Sequence, residues 1–144
     1  MHKISSLISQ QIQDSFARQG MMQSLGAQIE RIASGEVVLS LRPNPEMSQQ
    51  HGVVHAGATF ALGDSASGYA ALTQMPAGKE VMTVEMKINL LDPAAGARLI
   101  ATGRVVKPGK RLVITRCDIE AEAEDGTRKL VAILQGTMIP VEAT

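Results

Sequence analysis

A group of side chains able to transfer protons stands near the middle of the chain, in the stretch HGVVHAGATFALGDSASGYAAL. His51 and His55 lie among glycines, and Asp64 is the only carboxylate in the segment that follows them. Imidazole and carboxylate groups are the usual general acids and bases of enzymes, and a carboxylate also serves as a nucleophile. The pattern therefore indicates acid–base or covalent chemistry centred on Asp64.

The segment after His55 is predicted to be a slender helix that begins near Ala56, because it is built mostly from small residues. Glycine costs about 1 kcal/mol relative to alanine inside a helix, so its glycines predict a close approach of other backbone or of a ligand. The first turn of a helix presents unpaired N–H groups at the positive end of the dipole. The amides of Ala56 and Gly57 are therefore predicted donors to an oxyanion.

A metal site is not predicted from the two histidines and Asp64. His51 and His55 precede the predicted helix and so do not share a helical i, i+4 face, and no second carboxylate is close to them in the sequence.

The composition describes one domain, covering residues 1–144, with enough hydrophobic residues (44%) for a core. Charges balance at 14 basic and 14 acidic residues and aromatics are only 2%, which argues against a nucleic-acid-binding protein.

Cys117 is the sole cysteine, so an intrachain disulfide is impossible and a reducing compartment is expected. The N-terminus lacks the apolar core of a secretory signal, and no apolar run approaches the ~18 residues of a membrane span. We expect a cytoplasmic protein.

Helix and strand patterns surround the central segment. An N-terminal helical segment (1–24) is predicted from apolar residues at three- and four-residue spacing: Ile4, Leu7, Ile8, Ile12 and Phe16. Alternation predicts a strand at 36–42 and four more strands near 81–91, 97–107, 111–123 and 130–139. In the first of these four, one face is predicted to hold Met82, Val84, Met86, Ile88 and Leu90, and the other to hold Thr83, Glu85, Lys87 and Asn89. Short turns between the strands predict an antiparallel meander with the helix packed on one face, an α+β domain.

Two motifs in this stretch support a family resemblance. The pattern GxxHxG followed by LxDxAxGxAA resembles the hotdog-fold acyl-CoA thioesterases, in particular their phenylacetyl-CoA thioesterase (PaaI-like) branch. The later segments VEMKINLLDPA and VVKPGKR are similar to that branch as well, and the resemblance covers roughly residues 25–140. It implies a hotdog fold, in which an antiparallel sheet wraps around a central small-residue helix, with an N-terminal helix added.

The resemblance also implies roles for individual residues. Asp64 matches the catalytic carboxylate, His55 matches the histidine of the family's HGG motif, and the amide of Ala56 stands where the family polarises the thioester carbonyl. Gln49 occupies the place of a polar side chain near that carbonyl, although a one-residue slip would exchange it with its neighbour, and Thr83 matches a hydroxyl residue that positions the attacking water. The chain departs from the family in reading HAG for HGG.

Further residues are predicted to bind the substrate. Gly57 and Ser65 adjoin the catalytic positions, and Lys107, Lys110 and Arg111 are candidate contacts for the phosphates of coenzyme A. Coenzyme A is part of the substrate, and no separate cofactor is expected.

The spacing of Ala56 and Asp64 predicts a dimer. Eight residues of helix span about 12 Å, whereas groups that act on one carbonyl each lie about 3 Å from the reacting atoms. Two antiparallel copies of the helix bring an amide of one chain to the carboxylate of the other. The resemblance implies the same arrangement, often with dimers paired into tetramers.

Several alternatives stay open at this stage. Asp64 acts either as a nucleophile or as a general base, and Glu85 is the second candidate carboxylate. An acyl-thioester hydratase or dehydratase of the same fold, and a non-catalytic module that binds acyl-CoA or acyl carrier, are the other functional hypotheses. The sequence does not distinguish fatty acyl groups from aryl groups.

Overall fold

The computed structural model describes residues 3–144. The first two residues of the predicted N-terminal segment lie outside that range. The helices and strands follow in the order α1 (Ser6–Ala17), α2 (Gly20–Ser24), β1 (Gln28–Ala33), β2 (Glu36–Leu41), a 3₁₀ turn (Pro45–Met47), α3 (Ala56–Leu72), β3 (Lys79–Leu90), β4 (Arg98–Pro108), β5 (Val113–Glu122) and β6 (Arg128–Glu142).

The N-terminal segment forms two helices rather than one. Helix α1 begins after Ser5, whose hydroxyl accepts a hydrogen bond from the amide of Ile8 at 3.2 Å. Ile12 is fully buried, whereas Leu7, which the periodicity placed on the buried stripe, is exposed. No helix within residues 3–144 is long and apolar enough to cross a membrane.

The six strands form one antiparallel sheet in the order β1-β2-β4-β5-β6-β3. Strands β4, β5 and β6 follow one another as a meander, but the prediction of a meander was wrong for β3. That strand crosses to the far edge of the sheet and pairs only with β6. The α+β class is confirmed, and the sheet contacts α3 through β2 to β6. A central helix enclosed by an antiparallel sheet is the arrangement that the resemblance implied.

Strand β3 contains a bulge that changes which side chains face the helix. Thr83 pairs with Met138 and Glu85 pairs with Thr137, so Val84 is the extra residue between them. A single extra residue inverts the alternation of faces along a strand. The predicted apolar face was therefore wrong for the first half of β3, where Met82 lies exposed and Thr83 reaches the core residue Met138.

Helix α3 is slender because the sheet packs directly against it. A methyl group added at Gly103 of β4 would lie 2.5 Å from the backbone of Ala66, and one added at Gly63 would lie 2.8 Å from the side chain of Leu134. At Gly63 and Gly68 the helix therefore meets side chains, of Leu134 and Val81, rather than the backbone predicted to approach its glycines; backbone approaches α3 closely at Ala66, where the glycine belongs to β4. On β5 the predicted alternation is confirmed, with Val113, Cys117, Ile119 and Ala121 buried beneath α3.

Candidate active site

The first turn of α3 carries one unpaired amide. The imidazole Nδ1 of His55, the N-cap residue, accepts the N–H of Gly57 at 2.7 Å. The carbonyl of His55 accepts the N–H groups of Ala58 and Thr59 at 2.9 and 3.3 Å. The N–H of Ala56 has no acceptor within residues 3–144. Of the two amides predicted as oxyanion donors, that of Ala56 is thus the one available to a ligand.

Alanine fits position 56 without backbone strain. Positive φ angles in the described chain occur only at five glycines, and Ala56 is the first residue of a regular helix. The departure from the family's HGG motif therefore has no conformational cost here. Gly57 instead packs against its own cap, since a methyl group there would lie 2.9 Å from Nδ1 of His55.

Asp64 lies midway along α3 and meets the edge strand β3. Oγ1 of Thr83 donates a hydrogen bond to Oδ1 of Asp64 at 2.7 Å, and the sulfur of buried Met138 lies 3.2 Å from the same hydroxyl. The second carboxylate oxygen, Oδ2, receives no hydrogen bond from the described part of the chain. The carboxylate is partly exposed, so this oxygen is available to a water molecule or a substrate.

Glu85 is not part of this arrangement. The sequence placed it on the same face as Thr83, but the bulge at Val84 turns it to the outer face of the sheet. There its Oε1 accepts a hydrogen bond from the hydroxyl of Thr137 at 3.1 Å. Because Thr83 and Glu85 face opposite sides of β3, Glu85 is excluded as a second carboxylate beside Asp64.

Gln49 lies close to the free amide. Its backbone N–H donates to the carbonyl of Val53 at 2.9 Å, and its side-chain oxygen accepts the N–H of His51, which closes a tight turn before α3. Gln49 and Ala56 line a cavity of about 300 Å³, here termed the Gln49 cavity, with apolar walls formed by Val54, Leu90, Ala94 and Val131. Gln50 is exposed and does not line this cavity.

The two halves of the predicted site lie apart within one chain. Ala56 and Asp64 are separated by about 12 Å along the helix axis, at 1.5 Å per residue. Two groups that act on one carbonyl require a much shorter separation.

Comparison with known proteins identifies the family of this chain. Residues 51–127 match the thioesterase superfamily, more than half of the chain. The chain belongs to this superfamily. It is 33% identical to human (Homo sapiens) acyl-coenzyme A thioesterase 13 over 101 residues, which cover 69% of each protein. A crystal structure of a thioesterase family protein from Silicibacter pomeroyi superposes with a TM-score of 0.91 at 38% identity, over 94% of this chain and 99% of that one.

The hotdog fold is shared with more distant members of the superfamily. The Escherichia coli PaaI protein, from the phenylacetic acid degradation operon, superposes with a TM-score of 0.84 over 98% of each chain. At 24% identity this likeness concerns the fold alone. The recognition of a hotdog thioesterase with PaaI-like relatives is confirmed.

In this thioesterase-superfamily chain, Ser65 connects the central helix to the N-terminal helices. Its hydroxyl donates to Oε1 of Gln19 at 3.2 Å, while Nε2 of Gln19 donates to the hydroxyl of Tyr69 at 2.7 Å. The hydroxyl of Ser15 lies 3.0 Å from that of Tyr69. Sequence reasoning missed this cluster, although the spacing of Ser65 and Tyr69, one helical turn apart, was an available signal.

The basic residues of the β4–β5 hairpin lie away from the free amide of their own chain. Lys107 is exposed near the end of β4, and Lys110 and Arg111 are exposed on the connection that leads into Val113. Val113 pairs with Met138, which in turn pairs with Thr83. The hairpin is thus on the Asp64 side of the molecule, near the C-terminal end of α3.

No group of three metal-binding side chains occurs within the described range, which includes His51, His55 and Asp64. Cys117 is buried in the core and is not exposed to a substrate. Burial beneath α3 raises the pKa of its thiol, and the neighbouring carboxylate of Asp118 adds to that shift. The thiol is therefore kept protonated.

Proposed function

We propose that the protein hydrolyses acyl-CoA thioesters, with Asp64 as general base or nucleophile and the amide of Ala56 as the oxyanion donor. One observation carries this proposal. Thr83 holds the carboxylate of Asp64 at 2.7 Å, and an unpaired helix amide lies about 12 Å along the same helix. The superfamily and the acyl-coenzyme A thioesterase among the relatives support a thioester as substrate.

The reaction uses both groups on one carbonyl. In the base route, Asp64 takes a proton from water, the resulting hydroxide attacks the carbonyl carbon, and the amide of Ala56 stabilises the oxygen as it becomes anionic. The tetrahedral intermediate collapses, the C–S bond breaks, and CoA leaves as its thiol after taking up the proton. In the nucleophile route, the carboxylate attacks first, CoA leaves, and water hydrolyses the anhydride.

A second copy of the chain would bring these groups together. Strand β3 pairs on one side only and exposes Met82, Val84 and Leu90 to 58, 57 and 57%. An open strand edge with exposed apolar side chains is a template for pairing with another chain. Thr83 lies on this same strand, so a copy that pairs with β3 about a twofold axis is adjacent to Asp64. We propose a homodimer with two shared sites, and a pair of such dimers as the larger assembly.

The hairpin side chains complete the substrate site in this proposal. Lys107 pairs with Ile114, and Lys110 and Arg111 lie on the turn before Val113, so all three are on the Asp64 side, where they would contact the phosphates of CoA. The single domain spans the chain, and the one buried cysteine fits a reducing cytoplasm.

A thiol-release screen tests the proposal. Acyl-CoA esters of increasing length and phenylacetyl-CoA are incubated with the wild-type protein, with Asp64→Asn and with Asp14→Asn, whose carboxylate accepts a hydrogen bond from Gln10 on the exposed face of α1. We expect Asp64→Asn to lower turnover by a factor on the order of 10³ with unchanged assembly by size-exclusion chromatography. Asp14→Asn retains wild-type turnover. Near-normal turnover by Asp64→Asn removes Asp64 from the mechanism.

The same screen separates the other functional hypotheses. Water addition to crotonyl-CoA without thiol release would identify a hydratase. Tight binding of acyl-CoA with no thiol released at any chain length would identify a binding module.

A further inference from the structure

A second cavity adjoins the first turn of α3, on the opposite side from the Gln49 cavity. Its volume is about 420 Å³, and it is termed here the Met21 cavity. His55 lines both cavities, Ala56 lines only the Gln49 cavity, and Gly57 lines only the Met21 cavity. The unpaired amide of Ala56 is therefore at the boundary between two cavities that together could hold the acyl chain and the CoA moiety of a thioester.

Helix α2 supplies one wall of the Met21 cavity. Met21 and Leu25 come from α2 and its C-terminus, Met47 from the 3₁₀ turn, and Ala58 from α3. Met21 is 60% exposed, although its neighbour Met22 is buried in the core. An exposed methionine beside a cavity suits a ligand of variable shape, because the unbranched thioether side chain adapts its packing.

The charge of the lining indicates which part of the substrate, the acyl chain or the CoA moiety, the Met21 cavity binds. Each cavity is lined by one carboxylate, but Asp92 of the Gln49 cavity is paired with Lys129 at 3.0 Å, whereas Glu46 of the Met21 cavity forms no ion pair within residues 3–144 and would repel the phosphates of CoA. Among the described residues of its lining, the only ring is the imidazole of His55, which caps α3 through Nδ1, and no Phe, Tyr or Trp offers a broad face on which an aryl group would stack. The acyl chain of the substrate therefore fits the Met21 cavity better than the CoA moiety does.

We infer that the Met21 cavity binds the acyl chain, that α2 sets the preferred chain length through Met21, and that the substrates are aliphatic rather than aryl esters. This inference rests on the proposed function. It assigns the N-terminal helices a direct role: α2 forms part of the substrate pocket, held in place because Gln19 accepts a hydrogen bond from Ser65 and donates one to Tyr69.

Substitution at Met21 tests the inference. Thiol release is measured from acetyl-, butanoyl-, octanoyl- and dodecanoyl-CoA and from phenylacetyl-CoA. We expect Met21→Trp to fill the cavity and to lower kcat/KM for octanoyl- and dodecanoyl-CoA on the order of tenfold, because each buried methylene contributes a roughly fourfold gain and about two of them lose their place. Acetyl-CoA, which does not reach Met21, is unaffected. Met21→Ala moves the optimum towards longer chains.

Leu7→Trp is the matched control, since Leu7 is an exposed apolar residue on α1 that lines neither cavity. It leaves the chain-length profile unchanged. A Met21→Trp profile that superimposes on that of the wild type, or a wild-type preference for phenylacetyl-CoA over octanoyl-CoA, overturns the inference. If Met21→Trp fails to fold, Met21→Ala tests the inference instead: a chain-length optimum shifted towards longer chains supports it, and an unchanged optimum contradicts it.

Binding distinguishes failure of the inference from failure of the proposed function. If the wild type releases no thiol from any ester, the proposed function fails. Titration calorimetry with dodecanoyl-CoA then still tests the cavity: Met21→Trp weakens binding about tenfold relative to Leu7→Trp if the inference holds, and equal affinities contradict it.

Discussion

The hydroxyl of Thr83 on edge strand β3 donates to the carboxylate of Asp64 on the central helix, at 2.7 Å. The bulge at Val84 is what directs Thr83 towards the helix and Glu85 away from it. A neighbouring pair has the same chemistry on the other face, where the hydroxyl of Thr137 donates to Glu85 at 3.1 Å. Strands β3 and β6 thus each carry a threonine that donates to a carboxylate, but only Thr83 on β3 bonds to the helix.

Thr83→Val is expected to lower kcat by roughly 10- to 100-fold, with little change in KM, because the carboxylate loses the donor that fixes its orientation. Thr83→Ser, which keeps the hydroxyl, retains most of the activity. Steady-state kinetics with the best acyl-CoA ester measure both. Thr137→Val provides the control, since it removes the equivalent hydroxyl from the outer face. Equal losses for Thr83→Val and Thr137→Val would indicate a general effect on the sheet.

Gln19→Ala is expected to destabilise the fold by about 1–3 kcal/mol, because it leaves the hydroxyls of Ser65 and Tyr69 without their shared partner. The matched variant Gln13→Ala removes an exposed side chain that bonds only to Ser9. Thermal unfolding should show Gln19→Ala melting about 3–8 °C below Gln13→Ala. Equal melting temperatures would show that the cluster does not anchor the N-terminal helices.

Cys117 is expected to remain unreactive in the native protein. Burial raises the pKa of its thiol, so the nucleophilic thiolate is depleted at neutral and mildly alkaline pH, and raising the pH within that range does not restore it while the fold persists. Titration with a thiol reagent should give no native reaction and one thiol per chain after unfolding. Rapid labelling of the native protein would contradict the buried position beneath α3.

The regular elements were predictable from the sequence, and the irregular ones were not. The start of α3 at Ala56 follows from the change to small residues after His55, and the burial of alternate residues on β5 follows from an unbroken period of two. Strand β1 was missed because its apolar residues, Ile29 and Ile32, are three apart across a register shift. A bulge adds a residue without a distinctive side chain, so the pattern alone does not reveal it.

The sequence predicted the features of the site that depend on helix α3 alone. Asp64 and the first-turn amide share α3, so their separation could be calculated from the sequence. The sequence did not predict that the imidazole of His55 accepts the Gly57 amide, because that bond depends on the cap geometry. It also did not predict that Glu85 faces away from Asp64, because that orientation depends on the bulge. The contribution of α2 depends on tertiary packing, because Gln19 and Ser65 are 46 residues apart.

The chain offers a substitution that removes the oxyanion donor with little other change. Ala56 is the first residue of α3, its N–H finds no acceptor in the described part of the chain, and His55 before it has φ −61° and ψ 137°. Proline is favoured at the first helical position, and the preceding residue already has the extended conformation that proline requires. Ala56→Pro is therefore expected to fold normally and to lower kcat by a factor on the order of 10² to 10³, whereas Ala56→Gly, which keeps the N–H, stays active.

Co-expression of Ala56→Pro with Asp64→Asn, on differently tagged chains, tests the shared site most directly. Each variant alone is inactive, but a mixed dimer joins the intact amide of one chain to the intact carboxylate of the other. Random pairing makes half of the dimers mixed, each with one working site of two, so thiol release should return to about a quarter of the wild-type rate. Pairing Asp64→Asn with an Ala56→Pro/Asp64→Asn double variant should restore nothing. If the purified mixed dimers of the two single variants are as inactive as either parent, the amide and the carboxylate do not act together across two chains.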